Sequence, residues 1–211
     1  QVILAEDTRR ARQLLSALAL DASSIKILRC DQRRETDRVE LVCDCLSRGE
    51  SVVLVSDAGT PAISDPGGRI VDAVAQAGHT VQVLPGPSAP MAALMGAGLR
   101  TTRYAFLGFL PKRTKARREL ALAASQAGLA LVVFESPARI VETLQDLHQI
   151  CGARRVVVAR EITKKFECFH RGVLGQTLSP PVSEKGEMVI VVEEPEHGAA
   201  PEQAVLSGPG A

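Results

Sequence analysis

The sequence predicts an α/β fold of two domains, with a mostly parallel sheet in the first domain and a mixed sheet in the second. Short apolar runs alternate with helical periodicity in the first half, which is typical of a helix-covered parallel sheet. The pattern then restarts, and its last three apolar runs lie too close together for helical crossovers. We expect domains over 1–100 and 101–194, a boundary near 98–103, and a disordered tail over 195–211.

The first domain shows alternating strand and helix patterns. Its helices have apolar residues three and four positions apart, as in Ala11, Leu14, Leu15 and Leu18. The strands are predicted at 2–4, 25–28, 51–55 and 79–84, and the helices at 9–20, 35–48, 69–77 and 88–96.

The second domain begins with an apolar, β-prone segment. One of its helices starts with Pro137, at a position that proline favours. The strands are predicted at 104–109, 129–134, 155–159, 167–173 and 188–192, and the helices at 113–127 and 137–150. The last three strands should pair antiparallel, because the connections between them are short.

The amino-acid composition of the chain excludes several classes of protein. The chain has 211 residues, 45% of them hydrophobic, and a formal net charge of +1. This balance excludes a protein that coats nucleic acid over its whole surface, so any RNA contact should be a local patch. Five cysteines without paired ligand spacing indicate reduced thiols and no metal site. Neither a membrane-spanning run nor a signal peptide is visible, so we expect a soluble cytoplasmic protein.

The segment 54–68, LVSDAGTPAISDPGG, is the first candidate site. An apolar run breaks there into a loop with two Asp, two Pro and three Gly. A buried strand that ends in such a loop brings its backbone to the carboxyl edge of a sheet, where ligands bind. Gly59 and Gly68 allow close approach of the backbone, and Asp57 and Asp65 bring carboxylates to the rim. The alternative is an ordinary turn with helix-capping Asp residues.

Six further motifs accompany this loop. In order along the chain, the seven motifs are AEDTR at 5–9, SDAGTPAISDPG at 56–67, PGPSA at 85–89, GFLPKR at 108–113, ESPARI at 135–140, AREITKKFE at 159–167 and KGE at 185–187. Together they resemble the bacterial 2′-O-methyltransferases of small-subunit (16S) ribosomal RNA, which belong to the tetrapyrrole methylase superfamily. The resemblance covers residues 3 to about 193, and an ordered set of motifs is more specific than a single glycine pattern.

The resemblance implies a tetrapyrrole methylase-like fold with a cofactor cleft between its two domains. Family members begin with one further strand and often carry a basic helical segment after the last one, so we expect the family's first strand to be absent here. The cofactor implied is S-adenosyl-L-methionine, and superfamily members are commonly homodimers. By resemblance, the residues that line the cofactor pocket are Asp57, Ala58, Gly59, Thr60, Pro85, Gly86, Ser88, Ser136, Gly186 and Glu187.

These segments should converge on one cleft, with 160–167 at its mouth. For PGPSA alone, the alternative is a rigid helix start. A ribose hydroxyl is a poor nucleophile, so a base or a stabilising cation should lie nearby. Glu167 and Lys164 are the candidates for this catalytic role, because they belong to a compact group of ionisable residues after a strand. The alternative for each is an exposed salt-bridged strand edge.

A ribosomal RNA substrate needs basic residues that contact phosphates. The alternative for the basic run at 112–118 is a solvated helix face. Few aromatic residues are free to stack on bases, so we expect recognition through backbone and shape. The RNA-binding candidates are Arg9, Arg10, Lys112, Arg113, Lys115, Arg117, Arg118 and Lys165.

Two other functions compete with RNA methylation. One is C-methylation of a cobalamin or sirohaem precursor, but GFLPKR, ESPARI and AREITK resemble the RNA enzymes. The other is a non-catalytic RNA-binding module, which calorimetry with S-adenosylmethionine would distinguish. A dinucleotide oxidoreductase is disfavoured, because no GxGxxG opens a helix.

Overall fold

The computed structural model describes residues 1–183 and 185–196. The chain divides into two compact units, Gln1–Ser88 and a second unit that begins at Ala89. The division falls before the helix Ala89–Ala97 and not after it, because this helix packs on the second sheet through small and apolar side chains. Most of the tail expected at 195–211 lies outside the described residues.

The first unit contains a three-stranded parallel sheet and three helices. The elements are β1 (Val2–Ala5), α1 (Thr8–Ala17), β2 (Lys26–Arg29), α2 (Glu35–Ser47), β3 (Val52–Val55) and α3 (Gly68–Gln76). The strand order is β2-β1-β3. The core is formed by apolar side chains from all three strands and from helices α2 and α3. Ala5 lies opposite both Arg29 and Val55, so the three strands end at the same edge.

The prediction of a strand at 79–84 is wrong, because this segment forms no regular structure. Val83 and Leu84 are 74% and 75% exposed, so the apolar run is not packed in a core. Among the described strands of the first unit, β3 pairs only with β1. The other edge of β3 carries no ladder from the segment 79–84, so this segment adds no strand to the sheet.

The second unit contains a mixed five-stranded sheet. The elements are α4 (Ala89–Ala97), β4 (Tyr104–Phe109), α5 (Thr114–Gln126), β5 (Ala130–Glu135), a 3₁₀ turn (Pro137–Arg139), α6 (Ile140–Cys151), β6 (Arg155–Arg160), β7 (Cys168–Val173) and β8 (Met188–Val192). The strand order is β4-β5-β8-β6-β7. Strands β4 and β5 are parallel, and the other adjacent pairs are antiparallel. The expected antiparallel pairing of the last three strands is therefore confirmed.

Helices cover both faces of this second sheet. Side chains from α5 and α6 pack on one face, and α4 packs on the other. All five residues of β8 are buried, as expected for an apolar strand inside a sheet covered on both sides. None of the helices in the described residues is long and apolar enough to cross a membrane.

The strand directions bring four motifs to one edge of the second sheet. Strands β4, β5 and β6 end at this edge, while β7 and β8 begin there: Met188 lies opposite both Glu135 and Arg160, and Arg160 lies opposite Cys168. GFLPKR, ESPARI, KGE and AREITKKFE all leave or enter the sheet at this point. We call it the motif edge. With adjacent strands about 4.8 Å apart, it is about 19 Å long.

The prediction that Arg117 contacts RNA is wrong, because its side chain is only 1% exposed. Its Nε donates to Asp146 Oδ2 over 2.6 Å, and its guanidinium also pairs with Glu142. Arg118 donates to the other oxygen of Asp146 over 2.8 Å. Arg117 therefore joins α5 to α6 from inside the unit.

Asp146→Ala should destabilise the protein by about 3–5 kcal/mol, because it leaves the buried Arg117 guanidinium without its main partner. The double variant Arg117→Met/Asp146→Leu removes both charges and should cost much less. Urea unfolding followed by circular dichroism measures both. An equal loss of stability in the two variants would contradict this role for the ion pair.

Candidate functional site

Two aspartates meet at the strand ends of the first unit. The backbone N of Asp7 donates to Asp57 Oδ1 over 3.2 Å, and Arg10 Nη1 lies 3.5 Å from Asp57 Oδ2. Asp7 caps α1 by accepting from the backbone N of Arg9 over 2.8 Å. The Arg9 side chain also donates to Asp7 and holds the pKa of that carboxyl well below its usual range. Asp57 therefore links the AEDTR and SDAGT loops.

The turns at 56–60 and 85–88 contact each other directly, and we call them the glycine turn pair. Thr60 Oγ1 donates to the carbonyl of Pro87 over 2.9 Å. Gly59 has a φ of 73°, and a Cβ there would lie 3.4 Å from the same carbonyl. A Cβ on Gly86 would lie 3.3 Å from Thr60 Oγ1. The two turns thus approach closely through small residues, and the backbone at Ala58, Gly59 and Gly86 is exposed.

Glu35, a buried carboxylate that none of the sequence motifs includes, holds the C-terminal end of the loop at 54–68. Glu35 Oε1 accepts from the backbone N of Gly67 over 2.9 Å and of Arg69 over 2.7 Å. These contacts satisfy amides at the start of α3. Gly67 has a φ of 131°, and a Cβ at this position would collide with Leu54.

In the second unit, Glu135 organises the ESPARI motif. It is 2% exposed, and its Oε1 accepts from the backbone N of Ser136 over 2.7 Å. Its Oε2 accepts from Thr143 Oγ1 over 2.6 Å and lies 3.3 Å from Arg139 Nη2. Ser136 is therefore held at the motif edge by the carboxylate that precedes it.

Two arginines hold the backbone of the GFLPKR loop. Arg139 Nη2 donates to the carbonyls of Leu110 over 3.0 Å and Pro111 over 3.4 Å. Arg117 Nη1 donates to the carbonyl of Lys112 over 3.2 Å. Three consecutive carbonyls are thus bound by guanidinium groups. The side chains of Lys112, Arg113 and Lys115 remain exposed.

AREITKKFE and KGE form one cluster at the motif edge, which we call the lysine cluster (Arg160 to Glu167 and Lys185 to Glu187). Lys164 Nζ lies 2.9 Å from Glu187 Oε2 and 3.2 Å from Glu161 Oε1. Glu161 Oε1 also accepts from the backbone N of Glu187 over 2.8 Å. The ammonium of Lys164 is therefore held between two carboxylates.

The backbone of the lysine cluster depends on Gly186. Its φ is 90°, and a Cβ there would lie only 2.6 Å from Glu161 Cγ. Glu161 and Thr163 also adopt left-handed backbone conformations, with φ of 49° and 65°. Such conformations are unfavourable for residues other than glycine and are frequent at functional sites.

The charges within the lysine cluster distinguish the two catalytic candidates, Lys164 and Glu167. The hydrogen bond to Glu187 is the main cause that raises the pKa of Lys164 above its ordinary value. Lys164 is therefore a cation at neutral pH and not a base. The backbone hydrogen bond from Glu187 lowers the pKa of Glu161, so this carboxylate stays ionised. Glu167 Oε2 accepts from the backbone N of Thr163.

The other RNA-binding candidates lie in different places. Arg9 and Arg10 are exposed in the first unit, beside Asp7 and Asp57. Arg118 is half-buried against Asp146. Lys165 is exposed at the motif edge.

The chain matches the model of the family described as Tetrapyrrole (Corrin/Porphyrin) Methylases over residues 1–177, and it belongs to that family. It is therefore a methyltransferase and needs a methyl donor.

Curated relatives carry the name Ribosomal RNA small subunit methyltransferase I. The chain is 42% identical to the protein of Xylella fastidiosa over 208 residues, which cover 96% of this chain and 74% of that protein. It is 38% identical to the protein of Escherichia coli O157:H7 over 197 residues, which cover 91% and 68%. The protein of Mycobacterium tuberculosis strain H37Rv is 39% identical over 208 residues, which cover 98% and 71%.

Solved structures show the same fold at low sequence identity. The methyltransferase CobJ superposes with a TM-score of 0.64 and 18% identity, covering 92% of this chain and 93% of that chain. The cobalt precorrin-4 methyltransferase CbiF superposes with a TM-score of 0.59 and 16% identity, covering 91% and 83%. These matches confirm the predicted tetrapyrrole methylase fold.

Gly186→Ala should displace the Glu161 side chain and release Lys164 from one of its two carboxylates, with a loss of methyl transfer of at least about tenfold. Gly152→Ala is the matched control, because Gly152 also has a positive φ but no atom lies within 4 Å of its added Cβ. Initial rates and thermal unfolding should be measured for both variants. Equal rates in the two variants would show that the contact with Glu161 does not matter.

Proposed function

We propose that this chain is an S-adenosyl-L-methionine-dependent methyltransferase that methylates the 2′-hydroxyl of a cytidine in small-subunit (16S) ribosomal RNA. The main support for this proposal is the arrangement of residues at the motif edge. Lys164 lies there between two carboxylates, and the GFLPKR loop with its exposed basic side chains leaves the sheet at the same edge. Relatives 38–42% identical to this chain are named as methyltransferases of that RNA.

The residues present fit S-adenosyl-L-methionine. Its adenosine and amino-acid parts need polar partners, and the glycine turn pair offers exposed backbone groups beside small residues. We propose Asp57, Ala58, Gly59, Thr60, Pro85, Gly86 and Ser88 of the first unit as cofactor contacts. In the second unit we propose Ser136, Gly186 and Glu187.

The cofactor supplies an electrophilic methyl group on a sulfonium. The remaining tasks fall to side chains: the ribose hydroxyl must lose its proton, and the negative charge that develops on its oxygen must be stabilised. We assign proton uptake to the Glu167 carboxylate and charge stabilisation to the Lys164 ammonium. Glu161 and Glu187 hold Lys164 in place and keep it protonated.

Two observations favour an RNA substrate over a tetrapyrrole. The similar curated proteins are named as ribosomal RNA methyltransferases, and the motif edge carries exposed positive charges. Lys112, Arg113, Lys115 and Lys165 are exposed there. Such cations can contact successive phosphates. The similarity to corrinoid methyltransferases, at 16–18% identity, concerns the fold alone.

The proposal is tested by incubating the protein with isotopically labelled S-adenosyl-L-methionine and small ribosomal subunits that lack the modification. We expect mass spectrometry of the digested RNA to find the label in 2′-O-methylcytidine. Label in a base, or none in the RNA, would contradict the proposal. Calorimetry without detectable cofactor binding would favour a non-catalytic RNA-binding module.

Asp57→Ala should leave the fold intact and abolish detectable methyl transfer, with cofactor affinity at least about tenfold weaker. The reason is that Asp57 holds the AEDTR loop beside the glycine turn pair. Asp72→Ala, on α3, removes a carboxylate whose described partner is the nearby Gln76 and serves as the control. Calorimetry and a turnover assay measure the effect. Normal turnover in Asp57→Ala would remove this loop from the site.

The triple variant Lys112→Ala/Arg113→Ala/Lys115→Ala should bind RNA less tightly and with a weaker salt dependence. Each lost phosphate contact lowers the slope of log K against log salt by about 0.7–0.9. Cofactor affinity should not change. Lys26→Ala/Arg33→Ala/Arg34→Ala removes the same charge from the first unit and is the matched control. A slope equal to that of the control would identify the run as a solvated helix face.

A further inference from the structure

Two exposed phenylalanines lie at the motif edge. The chain has five Phe, of which Phe106, Phe134 and Phe169 pack against the core below α4. Phe109 and Phe166 are each 61% exposed. Phe109 ends β4 and Phe166 precedes β7, so both lie at the edge where the motifs meet.

A β-bulge sets the direction of Phe109. The pairing of β4 with β5 shifts register between Phe106 and Phe109, and Gly108 adopts a φ of 59° there. Phe109 consequently lies opposite Phe134, and the two ring centroids are 5.4 Å apart at a tilt of 55°. A bulge commonly re-aims a side chain next to a functional site. The ring of Phe109 is thus supported on one side while most of it faces solvent.

The position of Phe166 is fixed by the lysine cluster. Its carbonyl accepts from Arg160 Nη1 over 3.2 Å. Lys165 Nζ lies 5.6 Å from the centroid of its ring. The ring therefore stands beside the cation Lys165.

Basic residues lie close in sequence to both exposed rings. Lys112 and Arg113 follow Phe109, while Lys164 and Lys165 precede Phe166. Proteins bind single-stranded nucleic acid by combining cations for the phosphates with aromatic rings on which bases stack. Double-stranded RNA offers no unstacked bases for such rings.

We propose that Phe109 and Phe166 stack on bases of a single-stranded RNA segment, on either side of the nucleotide whose ribose is methylated. The strands β4 and β6, from which the two loops extend, are three strand spacings apart, or about 14 Å. That distance spans a few nucleotides, and the lysine cluster, which contains Phe166, lies at one end of it. The inference rests on the proposed function, because it takes RNA as the substrate. It adds base stacking to the expected recognition through backbone and shape.

Binding of a fluorescent, short uridine-rich RNA tests the proposal. Phe109→Leu and Phe166→Leu should each lower the affinity about tenfold and leave the salt dependence unchanged, because stacking does not release counterions. Phe109→Tyr and Phe166→Tyr keep an aromatic ring and should bind like the wild type. The triple variant Lys112→Ala/Arg113→Ala/Lys115→Ala should also bind less tightly, but it differs from the leucine variants in that its salt slope changes.

A second measurement changes the RNA instead of the protein. An RNA with one abasic position on each side of the central nucleotide should bind the wild type more weakly than the intact RNA does. This difference should shrink in each leucine variant and disappear in the double variant Phe109→Leu/Phe166→Leu. Leucine variants that bind intact RNA like the wild type would overturn the proposal. A changed oligomeric state with unchanged RNA affinity would also overturn it, because the rings would then belong to a protein contact.

The methylation assay separates the two claims. If the wild type labels the small subunit while the leucine variants keep full RNA affinity, the stacking proposal fails and the methyltransferase stands. If the wild type binds the uridine-rich RNA through both rings but labels no subunit, the rings are confirmed and the proposed reaction fails.

Discussion

The carboxylate of Glu135 is the interaction on which the motif edge depends. A buried carboxylate is costly unless it is paired and hydrogen-bonded, and Glu135 meets this condition through Ser136, Thr143 and Arg139. Arg139 in turn binds the carbonyls of the GFLPKR loop. One buried charge thus sets the positions of two motifs that are far apart in the sequence.

Two kinds of side chain have separate roles across the second unit. Buried or shared ion pairs hold the backbone, and exposed side chains remain available to bind ligands. Arg117 and Arg139 bind loop carbonyls, while Lys112 and Arg113 face solvent. In the lysine cluster, Gly186 has no side chain, so the Glu161 side chain can lie close to its backbone. Positioning of this kind lowers the cost of organising a site when substrate binds.

Most strands and helices could be predicted because their apolar periodicity is local, and the short connections predicted the antiparallel pairing of β6, β7 and β8. The strand expected at 79–84 does not form, because periodicity shows that a segment could be a strand but not whether it pairs with a sheet. The prediction that Arg117 contacts RNA was wrong for a related reason. A basic run in the sequence does not show which of its side chains points inward, as Arg117 does toward Asp146. The hydrogen bond from Gly67 to Glu35 joins the start of α3 to the start of α2, and nothing in the sequence of either segment indicates the other. The motifs indicated the site, and only the strand order brought four of them to one edge.

The most direct test of this account is photocrosslinking of small-subunit RNA that carries photoreactive pyrimidines around the methylated nucleotide, followed by mass spectrometry of the attached peptides. Crosslinks are expected within 109–115 and 160–167, at the motif edge. Crosslinks concentrated at the opposite edge of the same sheet, in 127–129 or 152–154, would contradict it.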